Sequence, residues 1–177
     1  MKKIKTIMTC LILAVATSVS FAQKDSVYIS KLVDDMEDKS YYFPSRKMIC
    51  AKEDKKTGFS LSAFLQYKGD EITISELKVV MVNIGSCNEK DELIFLFEDD
   101  TKINLKSWND FNCKGDSWFV ISKSDREKLS TLKIKKIKVQ NGRTFESYTH
   151  ELTENQDYFI QLFYAAKNKK VKEEKKQ

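Results

Sequence analysis

Through the middle of the chain apolar and polar residues repeatedly alternate at a period of two, and that rhythm reads as β structure. Phe59, Leu61, Ala63 and Leu65 alternate with Ser60, Ser62 and Gln66, the signature of a half-buried strand. Lys68-Gly69-Asp70-Glu71 turns the chain. From Ile72 to Ile84 the apolar residues change parity, since Ile72 and Ile74 are followed by Leu77, Val79 and Met81. A one-residue slip of that kind predicts a bulge or bend near Ser75 and Glu76. Leu93 to Phe97 is apolar throughout and reads as a strand covered on both faces. Glu98-Asp99-Asp100 then turns it into the alternating run Thr101 to Lys106, which completes a hairpin. Ser117 to Ser122 is the next strand. Lys133 to Gln140 and Arg143 to Thr149 form a second hairpin about Asn141-Gly142, a pair suited to a type I′ turn. Upstream, Val27 to Val33 and Tyr41 to Ala51 are further strands, separated by Asp34-Asp35-Met36-Glu37-Asp38.

Two helices carry start signals. Ser124-Asp125-Arg126-Glu127 and Thr153-Glu154-Asn155-Gln156 both fit the capping box. The first opens a short helix near 125–131. The second opens a helix near 154–166 whose Tyr158, Phe159, Leu162, Phe163 and Ala166 fall on one face. The expected fold is therefore α+β: a mainly antiparallel β-sandwich or curled sheet with one short and one C-terminal helix.

The first 22 residues have another purpose. Met1-Lys2-Lys3-Ile4-Lys5 is basic, Thr6 to Ser20 is apolar, and Ser20-Phe21-Ala22 places small residues where a signal peptidase reads them. An apolar run of about 15 residues is short of the roughly 20 that span a bilayer. Cys10 sits inside that run rather than at its end, which argues against a lipid anchor. Residues 1–22 are thus expected to be a cleaved leader, with no transmembrane segment afterwards. Residues 23–166 form a single β-rich domain and 167–177 a basic, disordered tail. The formal charge of +5 is misleading. Removing the leader leaves +2, and the tail alone carries +4, so the body from Gln23 to Ala166 is −2. A nucleic-acid binder shows a basic patch within its fold; here lysines are merely scattered, and no nucleic-acid partner is expected.

Export permits disulfides. Cys50, Cys87 and Cys113 survive cleavage, and an odd count leaves one pair and a free thiol, or an intermolecular link. Cys87 and Cys113 lie in loops that leave the same end of the Leu93–Lys106 hairpin. Cys50 lies in the apolar run Met48-Ile49-Cys50-Ala51, where a thiol behaves as a small buried hydrophobe. Context favours Cys87 with Cys113.

Little chemistry is written in the sequence. His150 is the only histidine, and neither a His-based zinc motif nor a nucleophile elbow surrounds it. It reads as a surface or packing residue. Glu98-Asp99-Asp100 lacks the alternating ligands of a calcium loop, so no metal or cofactor is expected. The body holds 24 acidic residues, and spacing singles out no catalytic pair among them. The loop Ser107-Trp108-Asn109-Asp110-Phe111-Asn112-Cys113 stands out. Trp108 and Phe111 either fold inward over the core or stand exposed, ready to stack on a sugar or anchor a partner.

From Gly85 onward the succession of elements is distinctive. A loop cysteine precedes the strand Leu93 to Phe97, and an acidic turn and an alternating strand follow. Then come the Asn-rich loop Asn109 to Cys113, an aromatic strand, a short helix, Ile134-Lys135-Lys136-Ile137-Lys138-Val139 and a final helix. This pattern resembles a group of small uncharacterised exported β-rich proteins common in Bacteroidota, a domain of unknown function. Where such relatives often carry Asp-Gly in the hairpin turn, this chain has Asp99-Asp100. The resemblance implies export, a β-rich fold and the cysteine pair, and no activity. The functional expectation is an exported, non-enzymatic binding module, periplasmic or extracellular, with an unknown protein or glycan ligand. The alternative is an envelope hydrolase using carboxylates not yet identified.

Overall fold

The structure, a computed structural model, describes residues 27–169. The expected leader 1–22 and the chain beyond Lys169 lie outside the described residues. Strands β1 (Ile29–Asp34), β2 (Lys39–Pro44), β3 (Met48–Ala51), β4 (Gly58–Lys68), β5 (Glu71–Val82) and β8 (Asp116–Val120) make a six-stranded sheet. Its order is β1-β2-β4-β5-β8, with β3 also paired to β4. Strands β6 (Glu92–Phe97), β7 (Lys102–Lys106), β9 (Ile134–Gln140) and β10 (Ser147–Glu151) make the second sheet, ordered β10-β9-β6-β7. All the pairings are antiparallel. The sheets meet at a corner, where Ser107, just past β7, bridges Phe119 of β8. Helices α1 (Lys123–Thr131) and α2 (Tyr158–Lys167) complete the α+β fold.

One core fills the space between the sheets. Leu61, Ala63 and Leu65 of β4, Leu77 and Val79 of β5, and Leu93, Phe95 and Phe97 of β6 all point into it. The expected face of α2 closes it: Tyr158, Phe159, Leu162, Phe163 and Ala166 are all buried. Phe159 meets Phe95 edge-on at 5.6 Å between centroids, and the Tyr158 hydroxyl donates to the Arg46 carbonyl.

Several local expectations are corrected. The Tyr41–Ala51 run is two strands, β2 and β3, both lying on β4. Pro44 ends the first because it has no N–H to continue a ladder. The bulge falls at Thr73, not at Ser75 and Glu76: Ile72 pairs with Tyr67 and Ile74 with Gln66. There the Gln66 side-chain amide donates to the Thr73 hydroxyl and that hydroxyl donates to the Gln66 backbone carbonyl, which satisfies polar groups where the ladder is interrupted. Strand β6 is buried on one face only. Ile94 and Leu96 are half-exposed on the other, where Lys138, Lys136 and Lys102 stand opposite them. Lysine stems can cover apolar neighbours while their ammonium groups stay in water.

The caps shift as well. Helix α1 begins at Lys123 with Ser122 as its N-cap, and Ser122 Oγ accepts from the Asp125 amide at 3.1 Å. The N-cap is therefore Ser122, not Ser124, and its hydroxyl also donates to Asp125 Oδ2 at 2.6 Å. Helix α2 begins at Tyr158, four residues beyond the expected start. Asn155 adopts a left-handed φ of 58°, and its carboxamide oxygen accepts from Arg46 Nη2. The Gln156 carbonyl accepts from the Ile134 amide. The capping-box residues thus tie the start of α2 to the β2–β3 connection and to β9. Asn141-Gly142 is not a two-residue turn either, because β9 and β10 are joined by the six residues Asn141–Glu146. Asn141 is buried and its side-chain oxygen accepts from the amides of Arg143 and Thr144, so a longer Asx-type loop replaces the type I′ turn.

Candidate functional site

The loops at one end are held by a covalent bond and a buried carboxylate. Cys87 and Cys113 form the disulfide, with Cα atoms 4.2 Å apart. Closing a loop between cysteines 26 positions apart contributes about 3.5 kcal/mol on the chain-entropy account. Beside it Asn88 and Asn112 exchange backbone hydrogen bonds of 2.7 and 3.0 Å. Asp91 is fully buried and joins three segments. Its Oδ2 accepts from Asn88 Nδ2 at 2.8 Å and from the Ser117 hydroxyl. Its Oδ1 accepts from the Gly142 amide at 2.8 Å. A side chain at Gly142 would collide with the Glu89 and Lys90 carbonyls, so only glycine allows the approach. The side-chain amide of Asn141 donates to the Cys87 carbonyl, tying the third loop to the disulfide.

On this frame Trp108 is 59% exposed and Phe111 51% exposed; neither folds into the core. The Arg143 guanidinium lies 4.7 Å from the Phe111 ring centroid, a cation–π contact. Phe145, in the same loop as Arg143, is 72% exposed at a φ of 60°, an uncommon backbone state for a bulky residue.

Trp108 also marks the edge of a larger surface. Its amide donates to the Trp118 carbonyl, and the Trp118 amide donates to Asn109 Oδ1 at 2.8 Å. The alternation that buries Ser107 and Phe119 turns Trp108 and Trp118 to the opposite side. These are the chain's two tryptophans. Register extends the row inward, with Trp118 opposite Lys78 and Lys78 opposite Ser62. Lys78 Nζ sits 5.4 Å from the Trp118 ring centroid and pairs with Asp116 at 2.7 Å.

Beyond that row a groove of about 270 Å³ opens on the outer face of the six-stranded sheet. Ser60, Ser62, Ala63 and Val80 form its floor, Phe43, Phe64 and Trp118 its walls, and Lys47 and Lys78 its cationic flanks. Phe64 is packed by Tyr41 and Phe43, with centroids 5.5 and 5.4 Å away. Glu76, half-buried on the same face, has its carboxyl pKa raised by desolvation.

Of these residues, Trp108, Phe111, Cys87 and Cys113 stand out in the sequence, and Trp118, Lys78, Phe43 and Phe64 do not. A signal was present: Trp118 has the parity opposite to Phe119, and Ser60 and Ser62 place small polar groups on the second face of β4. The remaining candidates lie elsewhere. His150 is half-buried with its pKa lowered by desolvation, and Nδ1 is 3.3 Å from the Tyr148 hydroxyl. Asp99 closes its own turn by accepting from the Thr101 amide and hydroxyl, and Asp100 takes the left-handed position at φ 61°. Cys50 is free and buried, its thiol pKa pushed up to about 12 by desolvation. Among the described residues no cluster of His, Cys, Asp and Glu is placed to hold a metal, and no helix is long and apolar enough to cross a membrane. Compared with family models, with curated proteins and with solved structures, the chain matches none.

Proposed function

We propose that the protein is an exported, non-catalytic binding module that engages its ligand through the outer face of the six-stranded sheet and the disulfide-held loop beside it. The observation that carries this reading is the pairing of Trp108 with Trp118. Trp108, on the disulfide-held loop, is exposed and Trp118, on β8, is half-buried; a backbone hydrogen bond joins the two residues, and both side chains turn away from the core. Aromatic residues give much contact area at small cost in conformational entropy, and a fixed backbone lowers the ordering cost of binding. The disulfide fits an oxidising compartment outside the cytoplasm.

The carboxylates on this face favour binding over hydrolysis. Asp116 stands opposite Val80, four residues along β5 from Glu76. That spacing puts their backbones roughly 13 Å apart along the strand. Glycoside hydrolysis uses carboxyl groups about 5–9.5 Å apart, and Asp116 is already engaged by Lys78. The test is capture from the native host's envelope extract by the mature chain and by Trp108→Ala/Phe111→Ala. Loss of the captured species with an unchanged melting temperature supports the reading. Equal capture by both proteins overturns the role of this face. Mass spectrometry of the native protein should find Gln23 at the mature N-terminus; an intact Met1 in the exported fraction would refute export by cleavage.

A further inference from the structure

We propose that the groove over Ser60 and Ser62 binds a sugar ring bearing a carboxylate, so that the ligand is an acidic oligosaccharide; this rests on the binding-module reading above. The groove's chemistry is neither that of an apolar docking face nor that of a simple anion site. Phe43, Phe64 and Trp118 give it apolar walls, and the apolar C–H faces of a pyranose ring stack on such surfaces. The floor is in part polar. The hydroxyls of Ser60 and Ser62 make no hydrogen bond with any described residue, and each offers one donor and two acceptor sites. An apolar peptide side chain seated there would bury those hydroxyls without partners, at a cost. A polyol would satisfy them.

Charge narrows the class. Lys78 is fixed by Asp116 and by the ring of Trp118, which leaves an oriented ammonium with further donors. Lys47 lines the same groove and makes no ion pair among the described residues. One unengaged cation beside a ring-sized recess matches one carboxylate per ring. The volume of about 270 Å³ is just below the range of roughly 300–1,000 Å³ for drug-sized ligands, which suits a single ring held while its neighbours run across the face toward Trp108. A single-stranded nucleic acid would also stack on aromatic residues, but it needs a cationic groove along its backbone. Here Glu76 and Asp116 share the face, and the body carries −2.

Because both tryptophans lie on this face, intrinsic fluorescence reports on it directly. The full mature chain is titrated with a uronic-acid trisaccharide, with its methyl ester and with an oligothymidylate. A saturable emission change with the acid, about tenfold weaker with the ester, is the expected result; a charge-assisted contact is worth that much. Lys47→Met should bring the acid to the affinity of the ester, and Trp118→Ala should weaken both sugars. Lys47 is exposed, so its variant remains informative even where Trp118→Ala unfolds. Equal affinity for acid and ester, a response to the oligothymidylate alone, or no response to either sugar at millimolar concentration overturns the proposal. If the sugars fail while Trp108→Ala/Phe111→Ala still abolishes envelope capture, the binding module stands and only the ligand class falls.

Discussion

Strands β4 and β5 present two unlike faces on one backbone. Toward the core they carry Leu61, Ala63, Leu65, Leu77 and Val79, all buried. Toward solvent the intervening positions carry Ser60, Ser62, Phe64, Glu76, Lys78 and Val80, all half-buried. The same ladder of hydrogen bonds supports both. The inner face therefore supplies stability, and that stability makes the outer face a fixed platform. Aromatic and ionic groups on the platform need not add to folding, and Ser60 and Ser62 are left with unsatisfied capacity. The disulfide end extends the same division: Asp91 is buried and fully bonded within, while Trp108 and Phe111 stand outside.

The largest effect is expected where the inner network is polar. Asp91→Ala leaves Asn88 Nδ2, the Ser117 hydroxyl and the Gly142 amide without their acceptor. Each buried unsatisfied donor costs about 1–3 kcal/mol, so this variant should lose several kcal/mol in urea unfolding and loosen all three loops. A loss below about 1 kcal/mol would show that the loops are held by the disulfide alone. Leu162→Ala is next. Leu162 is fully buried in α2, and its truncation should cost about 2–5 kcal/mol; under roughly 0.5 kcal/mol would mean that α2 is not docked.

Cys50 probes the inner face by pH. Burial pushes its thiol up to about 12, well above the ordinary thiol value near 8.5. The folded state thus holds a proton that the unfolded state releases first. The sign follows: the contribution is intact at neutral pH and is lost as pH rises above the unfolded thiol value toward 12. Stability should fall less steeply over that alkaline range in Cys50→Ala than in the parent. Iodoacetamide at pH 8 should modify Cys50 only in denaturant; rapid labelling of the native protein would place the thiol outside the core.

The inner face was legible in the sequence because burial selects apolar residues at a fixed period, and Leu61, Leu65, Val79 and the α2 residues Phe159 and Leu162 all kept it. The disulfide was legible because the two loops share one hairpin end. The groove was not, because its parts meet only through register. Trp118 reaches Lys78 through the β5–β8 pairing, whose strands are separated by the whole β6–β7 hairpin. Trp108 reaches Trp118 only at the corner between the sheets. Phe43 is hidden because Tyr41–Ala51 reads in sequence as one continuous strand across Pro44. Asp91 gave no signal at all: a carboxylate that bonds two side chains and a remote glycine amide looks, in sequence, like any acidic loop residue.

The sharpest test of the two faces uses adjacent residues of one strand. Val79 points into the core and is fully buried, while Val80 lies on the groove side and is half-exposed. Valine to threonine keeps the shape and the β-branch, and both residues suit a strand, so the backbone contribution cancels between the two sites. What remains is the hydroxyl. At Val79 it enters an apolar core among Leu61, Leu77 and Phe119, and burying it without a partner should cost about 1–3 kcal/mol. At Val80 it faces water and the serine floor, and the change should stay within about 0.5 kcal/mol, as for most surface substitutions. Urea midpoints of Val79→Thr and Val80→Thr measure the difference. Equal losses at both sites would mean that the outer face is covered in the folded protein, and the groove with it. A near-zero loss at Val80 together with altered tryptophan emission would place that residue where the register puts it, one row from Lys78 and Trp118.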